Sequence, residues 1–174
     1  MEHRDHVHLL RKGIAEPGGA WVDLGSGWGA FTLALADLLG PHGEIYSIDK
    51  DRSSLREQEQ TMRRRFPTQT VHYQQADFTR PLSLPPLDGI VMANSLHFVR
   101  NKESVLAQVK GYLKPPGRFL LVEYNADRGN PWVPYPLSYS TWEALSLRNG
   151  FASTTLLERV PSSFLHEIYS ALSL

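Results

Sequence analysis

The stretch Val22-Asp23-Leu24-Gly25-Ser26-Gly27-Trp28-Gly29 constrains this chain more than any other. A short apolar run enters three alternate glycines, and Phe31, Leu35, Leu38 and Leu39 then return at helical spacing. The order is strand, tight turn, helix. Glycine at such a turn takes positive φ without strain and lets backbone approach a bound molecule, while the helix start beyond it offers free N–H groups. The turn alone suits more than one nucleotide, because Gly25, Gly27 and Ala30 also satisfy the spacing of a dinucleotide site.

The same strand and helix alternation continues. A leading helix is expected from Asp5 to Ile14, stopped by Pro17-Gly18-Gly19. Beyond the first crossover helix, Glu44 to Ile48 reads as a strand ending at Asp49, and Leu55, Met62 and Phe66 mark a helix closed by Pro67. A strand from Thr70 to Gln75 runs out at Asp77, and Gly89 to Ala93 reads as a strand buried on both faces that ends at Asn94. Asn101 can cap a helix carrying Val105, Leu106, Val109 and Leu113, and Pro115-Pro116-Gly117 turns the chain into a strand from Phe119 to Tyr124. Strict alternation predicts a parallel sheet with helices on both faces. The tail differs: a long loop to Tyr139, a helix over Thr141 to Asn149, and two β runs, Phe151 to Arg159 and Phe164 to Ser170. The turn between those runs, Pro161-Ser162-Ser163, is too short for a parallel crossover, so they are expected to pair as an antiparallel hairpin.

A length of 174 residues predicts one domain, with 1–20 as leading helix and linker and 21–174 as the core. Lysine plus arginine equals aspartate plus glutamate at 18 each, which disfavours a nucleic-acid or anionic-membrane partner. The absence of cysteine removes disulfide, thiol and zinc-ribbon chemistry. Charged residues at the start and the lack of a long apolar run predict a cytoplasmic protein without a membrane span. Oligomeric state is left open.

Three features narrow the ligand. Asp23 lies inside the strand before the glycines, where a dinucleotide fold carries apolar residues and a cationic amino-acid group would use a carboxylate. Trp28 puts bulk into a turn that a pyrophosphate would have to enter, and the second and third strands each end in an acid, Asp49 and Asp77. Together with Ile48-Asp49, Ala76-Asp77-Phe78, Asp88 to Ala93 and Leu113-Lys114-Pro115-Pro116-Gly117, the glycine motif resembles the S-adenosylmethionine-dependent methyltransferases of Rossmann-like fold. The resemblance implies a seven-stranded, mostly parallel α/β sheet with a C-terminal antiparallel hairpin. It also implies S-adenosylmethionine as cofactor, with Gly25, Gly27 and Gly29 along its methionine and ribose and Asp23 near its amino group. Asp49 would accept the ribose hydroxyls, Asp77 and Phe78 would meet the adenine, and Asn94 would offer a carbonyl to the ammonium. A domain that binds the cofactor without catalysis, and a nicotinamide-dependent oxidoreductase, remain as alternatives.

A small-molecule acceptor is expected at the carboxyl ends of the strands. His97 is the candidate base, with Glu123 as a partner for a nearby donor rather than a base itself. Trp132, Tyr135 and Tyr139 are candidates for an aromatic wall, Tyr124 for an acceptor contact at the end of its strand, and Arg100, Lys102 and Arg128 for binding an acidic acceptor. The leading helix and the loop from Asn125 to Ser140 are expected to close over the acceptor together. His3, His6 and His8 read as surface residues of that helix, and Arg63-Arg64-Arg65 as cations closing a helix at the far end of the sheet.

Overall fold

A computed structural model describes residues 1–174. One seven-stranded sheet runs through the chain: β1 (Gly19–Leu24), β2 (Gly43–Asp49), β3 (Thr70–Gln75), β4 (Leu87–Ala93), β5 (Leu113–Tyr124), β6 (Thr154–Pro161) and β7 (Glu167–Ser173). Their spatial order is β3-β2-β1-β4-β5-β7-β6. The first five are parallel, and β7 is antiparallel to both neighbours. The last two strands therefore form the expected hairpin, with β7 on the inside.

The pleat sorts side chains between two faces. Trp21, Ile45, Val91 and Leu120 face a core shared with α1 (His3–Arg11), α2 (Ala30–Leu39) and Met62 of α3 (Arg52–Arg65). Val22, Ile48, Ile90 and Leu121 face a second core closed by α4 (Lys102–Lys110) and α5 (Tyr139–Arg148), where Trp142 stacks on Phe119 at 5.4 Å. α2 is apolar nearly all round because it lies between the sheet and α1. No helix is long and apolar enough to cross a membrane.

Several boundaries differ from the sequence expectation. Glu2 and Asp5 form a capping box that starts α1 two residues early, and the helix stops at Arg11. Lys12 caps the helix and Gly13 packs against the Leu120 side chain, so Ile14 lies beyond the helix end. β1 starts at Gly19, inside the stretch expected to be linker. β5 begins before the proline turn: Leu87 pairs with Leu113 and Gly89 with Arg118, so Lys114 to Gly117 bulge out within one strand. Asn101 occupies the N-cap position of α4 without a side-chain capping bond. α5 starts at Tyr139, capped by Ser138, which accepts from the Thr141 N–H. Phe151 packs against Trp142 at the end of α5, so β6 starts only at Thr154. Phe164 belongs to the connection before β7, where Leu165 and His166 both take positive φ, 55° and 65°.

Candidate active site

The sheet order reverses between β1 and β4, and the glycine turn lies at that point, at the carboxyl ends of the strands. A cavity of about 600 Å³ opens there, lined among others by Gly25, Gly27, Asp49, Asp77, Phe78 and Asn94. Six of the eight residues predicted to hold the cofactor thus come together around one space large enough for a nucleoside-sized ligand. Lys50, Thr79, Ser95, Phe98 and Val99 line it as well and were not singled out from sequence.

The turn is held from below. Gly25 has φ 77° and packs so closely on Ser95 and Phe78 that a β-carbon would collide with Ser95 at 2.6 Å. Ser95 Oγ donates to the Leu24 carbonyl at 2.7 Å, joining the ends of β1 and β4. Under the turn, Ser47 Oγ lies 2.8 Å from Ser26 Oγ and 2.7 Å from Gln58 Oε1, and Gln58 Nε2 donates to the Gly27 carbonyl at 3.1 Å. Gly29 is not part of the cavity lining and belongs to this scaffold: it caps α2 at φ 85°, and a β-carbon there would collide with Gln58. Gly27 is the opposite case, with nothing within 4 Å of its β-carbon position. Sequence reasoning missed Gln58, although a polar residue between Leu55 and Met62 on the buried side of a helix was a signal for a buried polar partner.

Both Asp49 oxygens face backbone donors: Oδ2 accepts from Gly27 N–H and Oδ1 from Asp51 N–H, each at 2.8 Å. A carboxylate oxygen carries two lone pairs, so capacity for further donors remains. Asp77 Oδ1 accepts from the N–H and hydroxyl of Thr79, which holds its carboxyl below the usual range. Asp23 is buried at the end of β1 but does not line the cavity. Burial pushes its pKa up to about 7, against the opposing hydrogen bond from Thr32. Its Oδ1 has no partner, and neither has Asn94 Oδ1, a second buried acceptor held at φ 51° at the end of the neighbouring strand. Both oxygens are sealed, so a cationic ligand group in the cavity would meet Asn94 at the lining and feel the Asp23 carboxyl through its charge. Trp28 turns out to solvent, 75% exposed, so its bulk says nothing about what the turn admits.

His97, the candidate base, lies in a short 3-10 turn, Leu96–Phe98, buried at 3% exposure and outside the cavity lining. Glu123, fully buried at the end of β5, accepts from the His97 backbone N–H at 3.0 Å and from Nδ1 at 2.8 Å. His97 Nε2 has no protein partner and is not among the sealed polar atoms, so it is the ring's free edge. Arg100 lines the cavity. Lys102 is occupied, donating to the carbonyls of Val99 and Tyr135 at 2.8 Å each, and so fastens the long loop to the 3-10 turn. Tyr135 N–H donates to the His97 carbonyl. Tyr139 is turned inward, its hydroxyl on Glu143 and its ring on Tyr169. Tyr124, Arg128, Trp132 and Tyr135 stand outside the cavity lining.

The expected joint lid is corrected on two counts. Val7, Leu9 and Leu10 bury α1 against α2, and His8 and Lys12 both reach Glu158 of β6, so α1 lies along the sheet away from the cavity. Val133 and Leu137 are buried, which packs the loop down. His3 reaches Asp37 and His6 packs edge-on to Phe31, so only His8 of the three is mainly exposed. Arg63 to Arg65 form the last turn of α3, as expected.

A family profile described as a methyltransferase domain matches residues 15–154. The chain belongs to the methyltransferase domain family. Its fold is that of the Rossmann-like, S-adenosylmethionine-dependent members: a methyltransferase of that kind from Aquifex aeolicus superposes with TM-score 0.76 at 18% identity, over 97% of this chain and 88% of its own. A Burkholderia thailandensis N1-methyltransferase, solved with 1,6-didemethyltoxoflavin and S-adenosylhomocysteine bound, gives 0.75 at 17% identity over 98% of this chain and 77% of its own. In sequence, the ubiquinone/menaquinone biosynthesis C-methyltransferase of Ectopseudomonas mendocina is 31% identical over 116 residues, 66% of this chain and 45% of the relative. The chain spans about half the length of the relatives it matches.

Proposed function

We propose that this family member binds S-adenosylmethionine and transfers its methyl group to a small-molecule acceptor. The observation that carries the reading is the cavity at the β1–β4 reversal, where Gly27 leaves open space and Asp49, Asp77, Phe78 and Asn94 converge. Asp23, buried in β1 just before the turn, favours a methionine ammonium in that cavity through its charge, and a nicotinamide dinucleotide brings no equivalent donor there. Asp49 receives the ribose hydroxyls while it holds the Gly27 N–H, so one carboxylate sets both turn and sugar. Asp77 and Phe78 flank the base, and Asn94 presents its carbonyl to the ammonium.

The cofactor supplies a methyl group on a sulfonium. This chain's residues supply alignment and a dry approach, which is most of what such a displacement needs. His97 takes a proton from an acceptor that must lose one, with Glu123 holding Nδ1–H so that Nε2 is the basic edge. Arg100, which lines the cavity, would meet an anionic substituent of the acceptor, and Arg128, outside the lining, would be a second cation in the long loop. The C-methyltransferase relatives and the N1-methyltransferase neighbour support a small acceptor, and the balanced charge supports one that is not nucleic acid. The setting on this reading is the cytoplasm. Parallel calorimetric titrations with S-adenosylmethionine, S-adenosylhomocysteine and NAD test the proposal: the first two bind with similar affinity and NAD far more weakly. Equal binding of NAD would restore the oxidoreductase.

A further inference from the structure

A buried ring of three polar side chains lies beneath the glycine turn, and the methyl-transfer reading gives it no part. Gln58 and Ser47 are fully buried and Ser26 nearly so, and none of the three lines the cavity. The Gly27 carbonyl can only accept, so the nitrogen end of the Gln58 amide faces it at 3.1 Å, and the same nitrogen donates to Ser26 Oγ at 3.2 Å. The amide oxygen takes the single hydroxyl hydrogen of Ser47 at 2.7 Å. Ser47 therefore accepts on its 2.8 Å contact with Ser26, and Ser26 donates there. Donation runs one way round the ring, and none of its side-chain atoms lacks a partner. Gly27 is where this ring meets the cavity. Its N–H goes to Asp49 on β2 and its carbonyl to Gln58 on α3, and the carbonyl has no second partner. Nothing lies within 4 Å of its β-carbon position, and a glycine so placed turns its peptide more easily than any other residue. Gln58 alone keeps that carbonyl turned down into the scaffold.

We propose that Gln58, oriented by Ser47, is a positioning residue for cofactor binding: it holds the Gly27 carbonyl out of the cavity, so that the turn meets the amino-acid end of the cofactor already in shape. The proposal rests on the S-adenosylmethionine reading above and adds to it a residue that never touches the ligand. Without Gln58 the carbonyl is released beside open space. Turned into the cavity, it would set a partial negative charge against the methionine carboxylate. The turn would also have to be ordered at the moment of binding, a cost that a preset loop avoids. The ribose end is held differently. Asp49 Oδ1 keeps the Asp51 N–H at 2.8 Å whatever happens to Gln58, so the carboxylate that meets the ribose stays in place. Loss of Gln58 therefore falls on the amino-acid end of the ligand and spares the nucleoside.

The test compares S-adenosylhomocysteine with 5′-methylthioadenosine, which shares its adenine, ribose and sulfur but lacks the amino-acid end, by calorimetric titration. Wild type is titrated with S-adenosylhomocysteine first; failure to bind there sinks the cofactor reading, and this proposal with it, before any variant is compared. Gln58→Met keeps the length of the side chain and removes the ring. It should bind S-adenosylhomocysteine about tenfold more weakly and 5′-methylthioadenosine within about twofold of wild type. Ser47→Ala is the milder change, leaving Gln58 in place with its amide able to turn over, and should lose about threefold for S-adenosylhomocysteine alone. Because Ser47 acts through Gln58, the double variant should lose no more than Gln58→Met. Ser146→Ala, which removes a buried hydroxyl between α5 and β6, is the control: its Tm should fall while both affinities stay at wild type. Should Gln58→Met fail to fold, Ser47→Ala set against Ser146→Ala decides by the same two affinities. Unchanged affinity for S-adenosylhomocysteine in the Gln58 and Ser47 variants overturns the proposal. Equal losses for the two ligands, or additive losses in the double variant, overturn it as well, because they describe a looser fold rather than a set peptide.

Discussion

The three glycines of the turn divide into two jobs, and substituting alanine at Gly27 and Gly29 separates them. At Gly29 the new methyl would lie 2.2 Å from Gln58 Cγ with φ at 85°. The left-handed backbone costs about 1–2 kcal/mol for a residue with a β-carbon. Displacing Gln58 also breaks its contacts with Ser47, Ser26 and the Gly27 carbonyl, each worth about 1 kcal/mol when buried. Gly29→Ala should therefore lose about 3–5 kcal/mol, a fall of roughly 10 °C in Tm for a chain of this size. At Gly27 φ is 51°, within the left-handed region other residues reach, and nothing lies within 4 Å of the new methyl. The strain of about 1 kcal/mol is partly offset by reduced freedom of the unfolded chain. Gly27→Ala should melt within a few degrees of wild type and bind S-adenosylhomocysteine at least about tenfold more weakly, because the methyl enters the cavity. Thermal melts and calorimetric titration of both variants decide the matter. A Gly29→Ala protein as stable as wild type, or a Gly27→Ala protein with unchanged affinity, refutes the division.

Asp49→Ala should weaken S-adenosylhomocysteine binding by about 1.5–3 kcal/mol, the loss of hydrogen bonds to a charged acceptor, and a folded variant with unchanged Kd removes Asp49 from the site. Burial raises the Asp23 carboxyl to about 7, so the folded chain keeps a proton that the unfolded chain releases near pH 4. Stability should therefore fall as pH rises between about 4 and 7. Asp23→Asn should flatten that slope in urea melts at pH 5 and pH 8, and a slope equal to wild type counts against it. A ligand ammonium beside Asp23 favours its ionised form, so binding S-adenosylhomocysteine near pH 6.5 should release protons, seen as heats that vary with buffer ionisation enthalpy; Asp23→Asn should lose this dependence. Glu123→Ala strands two buried His97 donors and should cost about 3 kcal/mol in urea unfolding, with Glu123→Gln recovering part of it.

Sequence by itself determined the order of the core. Apolar runs of strand length alternating with helical stripes leave few topologies open, because each element must bury one face and parallel crossovers take one hand. The glycine turn and the acids closing the second and third strands were legible for a local reason: backbone that approaches a ligand needs glycine, and a strand end facing a polar ligand carries polar side chains. Tertiary structure decided what each position does. Gly29 and Gly27 look alike in sequence, and only the packing of α3 on the turn assigns Gly29 to Gln58. Asp23 lies inside the strand just before the glycines, yet it is buried against Thr32 while Asn94, seventy-one positions later, reaches the same strand ends. The pairing of His97 with Glu123, 26 residues apart, depends on β4 and β5 being neighbours, and no spacing rule carries it. Phe164 reads as the start of a strand by composition, because β-propensity is set by neighbours rather than by the residue. Two left-handed residues after it end that pattern and turn the ring toward Tyr124 and Trp132, an outcome fixed by contacts between segments that lie far apart in the chain.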